Sequence, residues 1–119
     1  MGTGYQNLQV WRDAMTLAIA TYRSTERMKD LSLRDQVRRA AVSVASNIAE
    51  GDERDTDKDS VRFFYIAKGS LAELRTQIEI DREVGLLSPD CSSNIDTQAA
   101  LVGRRLGALI KARSIPHAS

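Results

Sequence analysis

Apolar residues along this chain recur every three or four positions in four long stretches, and no stretch shows the two-residue alternation of a strand. The spacing predicts helices over residues 9–28, 33–51, 56–84 and 92–111. In the first, Trp11, Met15, Ala18 and Tyr22 follow at steps of 4, 3 and 4 and define one face. Val10, Ala14, Leu17, Ile19 and Ala20 spread more apolar surface round the sides than one buried face uses. The inward lines of the other three are Val37–Ala41–Val44–Ile48, Phe64–Ala67–Leu71–Leu74–Ile78 and Ile95–Ala99–Val102–Leu106–Leu109. Trp11, Val37, Val44, Phe64, Leu71, Leu74, Val102 and Leu106 are expected to be buried.

The breaks carry start and stop chemistry. Ser32, with Asp35 three residues on, reads as a capping box for the second helix. Gly51 reads as a left-handed stop. Thr56 with Asp59 caps the third helix, Gly85 ends it, and Ser88-Pro89 delays the fourth until Ser92. Four helices with short connections predict an all-α, antiparallel up-and-down four-helix bundle. One domain would occupy residues 1–119, ordered over about 5–112, with a frayed tail at 113–119. The third helix would span roughly 40 Å at 1.5 Å per residue and outrun shorter neighbours.

Composition adds limits. A chain of 119 residues, 42% apolar and 5% aromatic, holds one core and favours helix over sheet. No apolar run approaches the roughly 20 residues of a membrane span. The opening MGTGYQNLQVW lacks a secretion signal, and the single Cys91 cannot close an internal disulfide, so a cytoplasmic setting is expected. Net charge is +1, which does not mark a strongly basic nucleic-acid binder. The distribution is uneven: residues 55–90 carry 5 basic and 8 acidic side chains, while residues 91–119 carry 4 basic against Asp96 alone. Arg104, Arg105, Lys111 and Arg113 are therefore the candidate phosphate contacts. No aromatic stacking set accompanies them, so base-specific readout is not expected.

Catalytic chemistry is thinly represented. The only histidine, His117, lies in the tail, so no histidine-based triad or cluster can form in one chain. There is no phosphate-binding glycine loop, no dinucleotide fingerprint and no Glu-x-x-His pair. Cys91 has no accompanying base. The expectation is no enzyme, no metal and no cofactor.

A second stripe runs opposite each of two core lines. Arg39, Ser43, Ser46 and Glu50 lie on the second helix, and Arg62, Ile66, Gly69, Glu73 and Ile80 on the third. A solvated face is the ordinary reading. Against it, the serines and Gly69 permit close helix approach, and Ile66 and Ile80 would stand in water. Arg39 to Glu50 and Arg62 to Glu73 are each 11 residues, so antiparallel helices can set Arg39 against Glu73 and Glu50 against Arg62. Spacing leaves open whether those pairs form within a chain or between subunits.

The stretches Arg38–Gly51, containing SNIAEG, and Arg62–Gln77, containing GSLAEL, together with the opening YQNLQVW, resemble the 23S ribosomal RNA intervening-sequence family over residues 5–110. The resemblance implies a small cytosolic bacterial four-helix bundle that assembles as a homopentameric ring and has no established enzymatic activity. It further implies that Arg39, Asn47, Glu50, Arg62, Tyr65, Ser70 and Glu73 support fold and assembly. Related accessory factors of diversity-generating retroelements bind a reverse transcriptase and nucleic acid. They are markedly basic, whereas this chain is nearly neutral. Two functions stay open: a nucleic-acid-binding accessory protein acting on RNA, and a structural or adaptor ring with a protein partner.

Overall fold

The computed structural model describes residues 4–114. A 3-10 turn over Gly4–Asn7 leads into four helices: α1 (Gln9–Ser24), α2 (Leu31–Asp52), α3 (Asp57–Glu83) and α4 (Pro89–Ser114). They form the expected antiparallel bundle, 55 × 28 × 21 Å in extent. Each helix packs on its neighbours in sequence, and α1 closes the square against α4. No strand occurs among the described residues.

The predicted core lines of α2, α3 and α4 face inward, with Phe64 the largest fully buried side chain. One position differs: Ile110 takes the inward place expected of Leu109, which is half-buried. On α1 the faces are exchanged. Val10, Ala14, Leu17 and Thr21 enter the core beside Ala18, while Trp11 is half-buried and Met15 and Tyr22 are exposed. Both lines have the same helical spacing, so periodicity alone does not rank them.

The helix ends correct four expectations. Helix α1 stops at Ser24 rather than Met28. The reason comes from α2, where Arg38 donates to the Tyr22 carbonyl at 3.0 Å and to Thr25 Oγ1 at 2.9 Å, and stacks on the Tyr22 ring at 4.5 Å. These bonds occupy the helix-terminal acceptors, and the turn that follows drops Met28 into the core. Helix α2 is capped by Asp30, whose carboxylate accepts from Leu33 N–H at 3.0 Å, so it starts ahead of Ser32. Gly51 sits inside α2 and does not end it. A Cβ there would lie 2.6 Å from the Phe64 ring, so the glycine serves close approach of α2 and α3. Helix α4 begins at Pro89, with Ser88 Oγ accepting from Cys91 N–H at 3.1 Å. Proline is suited to that first position because its missing N–H has no partner to lose.

Two signals are realised as read. Thr56 Oγ1 accepts from Asp59 N–H at 3.2 Å. Gly85 takes φ +80° and ends α3 in a left-handed cap, with Leu86 N–H returning to the Asp81 carbonyl at 2.8 Å. Helix α4 runs on to Ser114, so Arg113 and Ser114, expected in a frayed tail, are helical. The rest of that tail, with His117, lies outside the described residues.

Candidate interaction surface

The α2–α3 seam holds two of the motif positions, Asn47 and Ser70. Ser43 and Ser70 share a hydrogen bond of 2.8 Å across the seam. Asn47 donates to the Ser43 carbonyl at 2.9 Å and to its Oγ at 3.1 Å. Serines and a short amide allow two backbones to approach while hydrogen-bonding one another in a half-buried strip. Asn47 and Ser70 are thus joined through Ser43, a residue the motif does not single out.

The other five members stand apart from this strip. Arg39, Glu50, Arg62, Tyr65 and Glu73 are exposed. Among the described residues neither the Arg39–Glu73 nor the Glu50–Arg62 ion pair forms within the chain. Arg62 turns to Asp59 at 3.1 Å and lies over the Phe63 ring at 4.6 Å. Glu73 accepts only from Gln77, at 3.1 Å. Four large apolar side chains of α3 and the turn after it, Tyr65, Ile66, Ile80 and Val84, are 43–60% exposed on the outside of the bundle.

The basic set of α4 is divided by pairing. Arg105 is ion-paired with Asp13 of α1. Arg113 is paired with Asp52 of α2 at 2.7 Å and lies over the Phe64 ring at 5.6 Å. These two arginines tie α4 to the bundle, which leaves Arg104 and Lys111 as the members without an ion pair among the described residues. Four neighbouring positive charges in sequence thus yield two that face solvent uncompensated.

An apolar groove of about 510 Å³ opens between α1 and α2. Trp11, Met15, Ile19 and Tyr22 form one wall, Val42, Ala45, Ser46 and Ala49 the other, and Arg23 stands on the rim. Tyr5 closes one end, edge-on to Trp11 at 5.1 Å. The groove exists because α2 offers small side chains opposite the large ones of α1. The surplus apolar surface read on the first helix is the sequence signal for it, although the line chosen as core is the groove wall.

Other chemistry is sparse. Among the described residues no three of His, Cys, Asp and Glu gather in a metal-holding group. Cys91 is a half-buried free thiol. Asp81 is buried with both carboxylate oxygens unpartnered. Burial, with the charge of Asp30 adding to it, raises its pKa from 3.8 to about 6. No helix of the described residues is long and apolar enough to cross a membrane.

Residues 6–108 match the family model of the 23S rRNA-intervening sequence protein. The chain belongs to that family of helical bundles. A solved structure with the same fold is a protein of unknown function from the S23 ribosomal protein family of Bacteroides thetaiotaomicron. It superposes with a TM-score of 0.80 at 17% identity, over 86% of this chain and 98% of that one. No curated protein matches the chain.

Proposed function

We propose that this protein is a non-enzymatic interaction protein that works as a homo-oligomer, an adaptor or scaffold ring of five subunits. The carrying observation is the groove between α1 and α2, where Met15, Ile19, Tyr22 and Val42 are 37–45% exposed side by side. Contiguous apolar surface of this kind marks an interface, since leaving it in water forgoes about 25 cal/mol per Å². The ring size is taken from the family resemblance. Thermal melting at protein concentrations a hundredfold apart tests the reading. Assembly predicts a melting temperature that rises with concentration, and a concentration-independent melt contradicts it.

A second reading, binding of RNA, is favoured by Arg104 and Lys111. Both are exposed on one line of α4 and unpaired among the described residues. Repetition round a ring would multiply that pair of charges. Gel-shift titration of structured RNA at two salt concentrations decides it. Phosphate binding predicts affinity that falls steeply with salt and drops in an Arg104→Ala, Lys111→Ala variant. Salt-insensitive binding contradicts it.

A further inference from the structure

We propose that the outer face of α3 in one copy docks on the α1–α2 groove and outer α2 face of a second copy, antiparallel to that α2. Arg39 then meets Glu73 of the partner, and Glu50 meets Arg62 of the partner. The inference rests on the self-assembly proposed above and adds which two surfaces meet and in what direction.

The unpaired charges argue first. Arg39 and Glu50 stand 11 residues apart on α2, as do Arg62 and Glu73 on α3. Their spacing suits antiparallel pairing, yet within the chain neither pair forms. Arg62 has only an exposed pair with Asp59, a contact worth about 0–1 kcal/mol and easily exchanged.

The apolar surfaces argue next. Ile66, Glu73 and Ile80 fall seven residues apart on one outward line of α3, so an apolar residue stands two turns either side of the carboxylate. Gly69 lies between them with open space around it, nothing coming within 4 Å of an added Cβ. A second helix can therefore approach closely there. The receiving surface has the groove beside it, with Met15, Ile19 and Val42 partly in water.

Direction follows from charge order. On the receiving surface Arg23 and Arg39 lie at the Tyr22 end and Glu50 at the Ala49 end. On the outward line of α3, Arg62 comes first and Glu73 eleven residues later. Opposite charges meet only when the docking α3 runs antiparallel to the receiving α2. That is also how α3 runs beside α2 in its own bundle, so successive copies point the same way. Two different surfaces joined by parallel copies make a heterologous contact, the kind from which a ring is built when the rotation between copies closes. A dimer whose two-fold axis lay perpendicular to the helices would set Glu73 near Glu50 and Arg62 near Arg39.

Charge reversal and cross-linking test the docking together. Glu73→Arg and Arg39→Glu should each weaken self-association about tenfold or more, as expected for losing a close interfacial charge pair. The Arg39→Glu, Glu73→Arg double variant should recover most of that loss. In a Cys91→Ser background, Ser46→Cys protein and Ile66→Cys protein are mixed with a short bis-maleimide. The mixture should give a band at twice the 13.2 kDa chain, with far less from either protein alone. Retained assembly in both single reversals, or a mixture no richer in cross-links than its components, overturns the docking while self-assembly stands. A wild-type protein of one copy overturns both.

Discussion

The two seams flanking α2 are built from opposite choices. Between α2 and α3, Gly51 admits the Phe64 ring and Ser43 bonds Ser70, so the backbones close and these two hydroxyls pair across the seam. Between α1 and α2, alanines and a serine face Trp11, Met15, Ile19 and Tyr22, and volume is left over. Small residues appear in both. Where the opposite side chain points into the core they seal the seam, and where it leans outward they floor a groove. The closed seam holds the fold. The open one costs the isolated chain burial that a partner can restore.

Breaking the closed seam should have the largest effect. Phe64→Ala removes the largest fully buried side chain and should cost about 3–5 kcal/mol in denaturant unfolding. Two glycine substitutions sharpen the contrast. Gly51→Ala forces a methyl against a buried ring at 2.6 Å. The overpacking, about 1–3 kcal/mol, exceeds the helix-propensity gain of about 1 kcal/mol. Gly69→Ala meets nothing within 4 Å and should stabilise the isolated chain by about 0.5–1 kcal/mol.

Asp81 of α3 is a buried carboxylate near the Asp30 cap of α2. The folded chain keeps its proton to about pH 6, whereas the unfolded chain releases it near 3.8. Between those values the unfolded state binds fewer protons, so this residue lowers stability as pH rises and adds no further slope above about pH 6. Asp81→Asn should therefore melt higher than wild type at pH 7, with the gap narrowing towards pH 4. Equal melting temperatures at pH 7 contradict the burial argument. The smallest effect on folding belongs to the open seam. Ile19→Glu should shift the denaturant stability of the isolated chain by about 0.5 kcal/mol or less, while abolishing the dependence of melting on concentration.

Much of the closed seam was legible in the sequence because α2, α3 and α4 each carry one dominant apolar line. Helix α1 carries two of equal spacing, and what ranks them is the size of Ala45 and Ala49 on another helix. The start of α4 was misplaced because Pro89 was read as a barrier when it is a first helical residue. The pairing of the α4 arginines was out of reach for a different reason. Their partners lie 92 residues away at Asp13 and 61 away at Asp52, and local charge counts do not see them. The family motif, in contrast, marks both the hydrogen-bonded strip and the exposed charges beside it, without saying which is which.

The central claim is that the open seam is covered by another copy of the chain. Sedimentation equilibrium of the wild-type protein at micromolar concentration tests it most directly, because the mass obtained does not depend on molecular shape. Self-association predicts a mass at least twice 13.2 kDa. A single species of 13.2 kDa would contradict it.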